Sequence, residues 1–166
     1  MRKCVLAATT VLAATTMARI AQVVFTALIL MSPAMAVAGP AEEANAAIDR
    51  WSAAFSTNDP EGIAKNYWPD AILLGTVSPV MSEGSAAIVT YFTPTKGTGN
   101  KNAIDERRTI LIDDNAAVVT GFYTFTRMVE GKPVPGPSRF TVLVTKRGNE
   151  WRIAHHHSSP RVMPKN

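Results

Sequence analysis

A series of strand-like segments separated by turn signals constrains the fold of this chain more than any other feature. Turn-forming residues lie at 113–115, 130–138 and 147–149. The segments between and beside them are rich in β-branched and aromatic residues: IDERRTILID, AAVVTGFYTFTRMV, SRFTVLVTKR and EWRIAHHHSS. Consecutive strands joined by short turns pair antiparallel. The C-terminal half therefore predicts an antiparallel sheet.

Helical patterns precede these strands. Apolar side chains over Pro40–Ser56 recur at the spacing i, i+3, i+4, i+7, which predicts an amphipathic helix. A shorter helix is predicted for PEGIAKNY, a buried strand for AILLGTV, and a third helix for Ser82–Phe92. Helices followed by a run of antiparallel strands predict an α+β fold, with the helices on one face of a curved sheet.

The first 38 residues have the layout of a secretory signal peptide. Three basic and no acidic residues accompany an apolar run over 20–31, and small residues in A-x-A spacing follow at Ala34–Ala38. This run is shorter than the roughly 20 apolar residues of a spanning helix, which favours cleavage. Met17 is a candidate for the true start, since a complete signal begins there. We expect an exported protein, periplasmic or secreted, with one domain over 39–166 and no membrane association after cleavage.

Removal of this segment changes what the charge and cysteine content imply. Three of the 17 basic residues and none of the 13 acidic ones lie in residues 1–38, which leaves a net charge of +1. So small a net charge does not indicate a nucleic-acid partner. The single cysteine, Cys4, also lies in this segment, so the remaining domain is expected to hold no disulfide and no reactive thiol.

Three consecutive histidines in the last strand pattern, WRIAHHHSS, are the candidates for chemistry. Side chains alternate between the two faces of a strand. One face is therefore predicted to carry Trp151, Ile153, His155, His157 and Ser159. Because that face begins with two large apolar residues, we predict that His155 and His157 point into the protein. His156 is predicted to face solvent or a partner subunit.

Three interpretations of the inward pair remain open. The two histidines can be a hydrogen-bonded pair that only supports the fold, or they can act as acid and base in a ligand pocket near neutral pH. A metal site needs at least a third ligand, and only Asp105 and Glu106 are candidates. Neither has a recognisable metal-ligand spacing, so the metal site is the least favoured of the three and we assign no metal. Because nucleotide and flavin motifs are absent from the sequence, we also predict no cofactor.

The order of these segments resembles a known family. The segments that carry the resemblance are YWPDAILLGTVS, IDER, GFYTFT, SRFTVLV and WRIAHHHSS. They resemble the SgcJ/EcaC group of SnoaL-like proteins, within the nuclear-transport-factor-2-like superfamily. They are also similar to the association domain of calcium/calmodulin-dependent protein kinase II. The resemblance covers residues 41–160.

The resemblance implies a cone-shaped α+β fold, in which a curved antiparallel sheet wraps a long N-terminal helix and leaves a pocket at its wide end. It also implies homodimers or larger homo-oligomers that form through the outer face of the sheet. By position, it places His155, His157 and Arg139 in the pocket, with Tyr123 and Ser159 as further ligand-binding residues.

We therefore expect an exported domain that binds a small organic ligand. The guanidinium fork of Arg139 suits a ligand that is anionic at one end. If the domain is an enzyme, the expected reaction is a cofactor-free proton transfer of the isomerase or dehydratase kind, with His155 or His157 as acid and base. The alternative is a non-catalytic module for oligomerisation or binding, as the similarity to the kinase association domain implies.

Overall fold

The computed structural model describes residues 38–162 and residue 164. The predicted signal peptide, apart from Ala38, and the candidate start Met17 lie outside the described residues. Within them the elements follow in the order α1 (Pro40–Phe55), α2 (Pro60–Ala64), β1 (Tyr67–Leu74), β2 (Met81–Glu83), α3 (Gly84–Phe92), a 3-10 turn (Thr93–Thr95), β3 (Lys101–Asp113), β4 (Ala116–Val129), β5 (Lys132–Arg147) and β6 (Glu150–Pro160). None of the described helices has both the length and the hydropathy needed to cross a membrane.

Helix α1 lies against the inner face of the sheet and supplies much of the core. Pro40 occupies its first turn, where a missing N–H removes no helical hydrogen bond. The side chains that α1 buries form one stripe: Ala44, Ala47, Ile48, Trp51 and Phe55. Burial of a side chain of the size of Phe55 contributes about 1.5–3 kcal/mol. The helix predicted from the apolar spacing is confirmed.

Six strands form one sheet in the order β2-β1-β6-β5-β4-β3. The four long strands β3 to β6 pair antiparallel with their neighbours in sequence, as predicted. Strand β1 pairs parallel with β6, which the sequence did not predict. The long stretch of chain between these two strands permits a parallel pairing, because no tight hairpin has to join them. The predicted α+β fold with a curved sheet is confirmed.

The Gly/Pro stretch predicted as a turn over 130–138 is mostly strand. Glu130 and Gly131 alone form the tip, both with positive φ, and β5 begins at Lys132. The prolines of β5 occupy alternate positions (Pro133, Pro135, Pro137), so the backbone sites that lack an N–H lie on one edge of the strand. Strand β6 ends opposite Ser138, so it does not pair with this part of β5. Proline is tolerated at such an edge.

A bulge at Asp105 in β3 is matched by a glycine in β4. The pairing of β3 with β4 skips Asp105, which bends the sheet around α1. The bulged backbone runs so close to Gly121 that a Cβ atom there would lie 2.0 Å from the carbonyl oxygen of Glu106. After the bulge, Arg107 points toward α1 and forms a bidentate salt bridge with Asp49. Only glycine therefore fits opposite this bulge.

Candidate functional site

A second bulge, in β6, decides which histidine enters the protein. Val144 pairs with Ile153 and Leu143 pairs with His155, so Ala154 has no partner in β5. One extra residue reverses the face on which every following side chain lies. His156 is consequently buried, with 2% of its surface exposed, whereas His157 is exposed. The predicted alternation holds up to Ile153 and is wrong after it.

Four of the five predicted site residues lie outside the interior: the bulge turns the three on β6 outward, and Arg139 points outward because its two neighbours on β5 are the buried ones. His155 and Ser159 are half-buried on the outer face of the sheet, and His157 and Arg139 are exposed there. Strand register places them together, since Arg139 pairs with Ser159 on the neighbouring strand. The predicted inward direction of His155 and His157 is wrong because of the Ala154 bulge. Their chemical roles stay predictions, but the geometric reason for placing them in an interior pocket is lost.

His156 lies between two tyrosines in the core. Its Nδ1 is 2.9 Å from the hydroxyl of Tyr67, on β1, and its Nε2 is 3.4 Å from the hydroxyl of Tyr123, on β4. The indole of Trp51, on α1, meets the imidazole edge-on with 4.9 Å between ring centroids. Tyr123 is itself 1% exposed, so it lies on the inner face, as the resemblance implied. Its role in ligand binding stays a prediction.

A line of hydroxyl groups continues from this imidazole. Tyr123 donates to the Oγ of Ser158 at 2.5 Å, and Ser158 in turn hydrogen-bonds to the hydroxyl of Thr76. Since the Tyr123 proton goes to Ser158, the phenol oxygen accepts from Nε2 of His156, and Nδ1 accepts from Tyr67. The hydrogens therefore point from Tyr67 as far as Ser158, and either hydroxyl can donate in the last bond, between Ser158 and Thr76, which lies just after the end of β1.

Burial holds these groups in their neutral forms. Desolvation, with a smaller contribution from the neighbouring His155 and His157, lowers the pKa of His156 to about 3. Desolvation raises the pKa values of Tyr67 and Tyr123 above the ordinary range for tyrosine. At neutral pH this set can donate and accept hydrogen bonds, but His156 is too weak a base to hold a proton. The arrangement suits recognition of a polar group better than proton transfer.

An apolar cavity of about 430 Å³ begins where the hydroxyl line ends. Thr76 lies in its wall, and most of the remaining surface is apolar. The wall is formed by Phe55, Val77, Tyr91, Phe92, Pro94, Thr95, Asn100, Phe125, Arg127, Gly136, Pro137, Ser138 and Pro160 in addition to Thr76. Burial raises the pKa of Tyr91, against the opposing effect of hydrogen bonds from the backbone and side chain around Thr76. The cavity wall is thus mainly apolar, and the hydroxyl of Thr76 is the point at which the hydroxyl line reaches it.

A second depression, of about 490 Å³, lies at the N-terminal end of α1. Charged side chains of both signs surround it, including Glu42, Arg50 and Arg152. Nearby Glu43 accepts hydrogen bonds from Lys146 and from the indole of Trp151, which lowers its pKa. Arg152 pairs with Glu150, and the depression lacks the mainly apolar lining that is typical of small-molecule sites, so the apolar cavity is the better candidate for a ligand site. In the described part of the chain, no three metal-binding side chains cluster.

Sequence patterns did not identify Thr76, Ser158 or Arg127 as site residues. Ser158 was assigned to the wrong face because a bulge cannot be read from strict alternation. Thr76 follows Gly75, which packs closely against the ring of Tyr91. A Cβ atom at Gly75 would lie 2.2 Å from the ring of Tyr91. This glycine is the one feature of the sequence next to Thr76 that points to a closely packed site.

The solved structures that are similar to this fold include the following three. A putative calcium/calmodulin-dependent protein kinase II association domain from Xanthomonas campestris is 37% identical, over 75% of this chain and 93% of that one, with a TM-score of 0.68. An uncharacterised protein with a cystatin-like fold from Caulobacter vibrioides is 24% identical, over 75% and 92%, with a TM-score of 0.63. A ketosteroid isomerase-like protein from Erwinia carotovora atroseptica is 19% identical, over 74% and 97%, with a TM-score of 0.63.

The Caulobacter and Erwinia proteins are less than 25% identical to this chain, so they bear on its fold alone. None of the curated proteins compared with the chain matches it. The profile of the SnoaL-like domain family matches residues 44–163, which include every strand of the sheet. The family that the sequence resembled is confirmed: this chain belongs to the SnoaL-like domain family.

Proposed function

We propose that this chain is a small-molecule-binding domain whose ligand occupies the apolar cavity beside Thr76. The observation that carries the proposal is a cavity of about 430 Å³ with a mainly apolar wall and one hydroxyl line reaching it. Ligand sites in proteins have volumes of about 300–1,000 Å³ and the same mixture of apolar surface with few polar groups. If residues 1–38 direct export, binding takes place outside the cytoplasm.

The residues around the cavity are better suited to binding a ligand than to proton transfer. Among the described residues that line the cavity, none is an aspartate, a glutamate or a histidine. The nearest imidazole, His156, is buried behind Tyr123, and its pKa of about 3 leaves it neutral. An isomerase or dehydratase needs a group that takes up a proton near the working pH. The hydroxyl line is better suited to holding a polar atom of a ligand.

Filling the cavity should weaken ligand binding without unfolding the protein. Gly136 lies in the cavity wall, and a Cβ atom there would meet one backbone oxygen at 3.5 Å, an ordinary contact. We expect Gly136→Leu to weaken binding of butyrophenone, a neutral aryl ketone, at least tenfold, because the added side chain takes ligand space. Isothermal titration calorimetry measures the affinity, and thermal unfolding checks the fold.

Gly136→Ala is the matched control, since it makes the same backbone change with little added volume. It should bind butyrophenone within about twofold of wild type. Equal affinity of the wild type and the folded Gly136→Leu protein would show that the ligand lies elsewhere. Failure of the wild type to bind butyrophenone or similarly sized neutral ketones and alcohols would contradict the binding proposal itself.

We also propose that the protein self-associates through the outer face of its sheet. One side chain from each of five adjacent strands forms a continuous row across that face, here called the outer row: Ile72, His155, Leu143, Val118 and Ile110. Four members are apolar, and Ile110 is 60% exposed. An apolar surface of this kind is typical of a protein–protein contact. The similar Xanthomonas protein is named as a putative association domain, which supports the proposal.

A charge in the outer row should dissociate the oligomer. Leu143→Glu places a carboxylate in the middle of the row, and two copies would have to bury it when they pair. We expect sedimentation equilibrium at micromolar concentrations to give an oligomer for wild type and a monomer for this variant. Val129→Glu, near the exposed tip of the β4–β5 hairpin, is the control and should stay associated. A monomeric wild type, or an unchanged Leu143→Glu oligomer, would contradict the proposal.

A further inference from the structure

We propose that the ligand of the apolar cavity is an amphipathic anion, with a carbonyl or similar hydrogen-bond acceptor at Thr76 and a carboxylate-like group on Arg127. This inference rests on the proposed binding function and names the chemical class of the ligand. It depends on three features of the cavity wall, which are its charge, its polar end and the apolar surface around them.

Arg127 supplies the charge. Side chains of β4 alternate faces, and Tyr123 and Phe125 lie on the inner face, so Arg127 lies on that face two residues farther toward the strand end. It is exposed, which places it where the cavity opens. Among the described residues that line the cavity it is the only charged one. An arginine presents five N–H donors in a planar fork that matches a carboxylate.

No described residue neutralises this guanidinium. Several arginines of the neighbouring strands have carboxylate partners, such as Arg107 with Asp49 and Arg147 with Asp70, whereas Arg139 on the outer face of the sheet has none among the described residues. No salt bridge joins Arg127 to a described acidic residue within 4.0 Å. An unpaired cation beside an apolar cavity selects ligands with a negative group at one end.

Thr76 supplies the polar end. The hydroxyl line ends there: Ser158 accepts from Tyr123, so its own proton is available to Thr76, and when Thr76 donates to Tyr91 the Tyr91 O–H is left for an acceptor in the cavity. Tyr91, also in the wall, lies close to the same hydroxyl. A ligand with a carbonyl oxygen can accept from this end of the line. A ligand without an acceptor leaves a polar group desolvated, which costs affinity.

Three ligands of one shape separate these contributions. 4-Oxo-4-phenylbutanoate carries the ketone and the carboxylate, butyrophenone carries the ketone alone, and 4-phenylbutanoate carries the carboxylate alone. We expect 4-oxo-4-phenylbutanoate to bind wild type tightest, by about threefold to tenfold over each of the other two. Calorimetry with the protein purified without residues 1–38 gives the three affinities under one buffer and salt concentration.

Two variants should each remove one preference. Arg127→Gln is expected to weaken both carboxylates about threefold to tenfold and to leave butyrophenone unchanged. Thr76→Val is expected to weaken both ketones by a similar factor and to leave 4-phenylbutanoate unchanged. Arg139→Gln, on the outer face of the sheet, and Thr90→Val, exposed on α3, are the matched controls and should bind all three ligands as wild type does.

The outcomes distinguish this inference from the function on which it rests. If butyrophenone binds and the carboxylates bind no better, or if Arg127→Gln weakens all three ligands alike, the anionic class is wrong while the cavity remains a binding site. If Thr76→Val weakens 4-phenylbutanoate and Arg127→Gln does not, the carboxylate lies at the hydroxyl line, which overturns the proposed orientation. If none of the three binds wild type and neutral ketones and alcohols also fail, both the inference and the binding function are wrong.

Discussion

Replacing Gly121 by alanine is expected to destabilise the folded protein by about 3 kcal/mol or more. A Cβ atom at this position would lie 2.0 Å from the carbonyl oxygen of Glu106 and 2.8 Å from the Cα of Arg107. Both atoms belong to the backbone of the β3 bulge, so no side-chain rotation relieves the contact. The strand would have to move, and the bend of the sheet over α1 would be lost with it. Urea unfolding measures the change in the free energy of unfolding.

Gly136→Ala is the control for Gly121→Ala, since it is the same substitution on the neighbouring strand. Its Cβ would meet only an atom at 3.5 Å, so we expect a change within about 1 kcal/mol of wild type. An equal loss of stability in both variants would mean that the change in backbone freedom, and not the contact with the bulge, lowers the free energy of unfolding. A Gly121→Ala protein as stable as wild type would contradict the close approach at the bulge.

Acidification from pH 6.5 to pH 5 is expected to lower the free energy of unfolding by about 2 kcal/mol. Burial lowers the pKa of folded His156 from 6.5 to about 3, so in this range the unfolded chain binds a proton that the folded chain does not. The free energy of unfolding therefore rises with pH through this window, by up to about 1.4 kcal/mol per pH unit. It levels off above about pH 6.5. Glu43 and Asp70, whose folded pKa values are also lowered, begin to contribute only below about pH 4.5.

His156→Phe should remove this slope. The variant keeps an aromatic ring against Trp51 but leaves the hydroxyl of Tyr67 without its acceptor, so its baseline stability falls by about 1–3 kcal/mol. The readout is the dependence of the free energy of unfolding on pH from 5 to 7, measured in urea, rather than its absolute value. His157→Gln, at an exposed position, should keep the wild-type slope. If the slope persists in His156→Phe and disappears in His157→Gln, the buried histidine has been misidentified.

Much of the fold could be predicted because its signals are local. The apolar spacing of α1 and the turn residues between the long strands each depend on a few neighbouring residues. The parallel pairing of β1 with β6 could not be predicted in this way, because it joins two distant segments. The extension of β5 through three prolines was also missed. Proline there is compatible with a strand only because that edge of β5 lacks a strand partner, which the local sequence does not reveal.

The candidate site was predicted less well than the fold, and the reason is one residue. Strict alternation from Trp151 predicts an inward His155, whereas the Ala154 bulge makes His156 the inward histidine. Nothing in WRIAHHHSS distinguishes the two alternatives, because all three positions hold the same residue type. The resemblance, and not the strand pattern, placed Tyr123 among the pocket residues, and the structure buries it on the inner face. Thr76 and Arg127 entered the site through the shape of the cavity, which only the folded chain defines.

Histidine and threonine NMR signals during a ligand titration test the central claim most directly. The ligand is expected in the cavity beside Thr76, on the inner side of the sheet, and not at the outer histidines. With 4-oxo-4-phenylbutanoate or butyrophenone, we expect the methyl signal of Thr76 and the ring signals of His156 to shift with one common dissociation constant, while the ring signals of His155 and His157 stay in place. Saturable shifts of His155 and His157 with an unmoved Thr76 methyl would contradict the account.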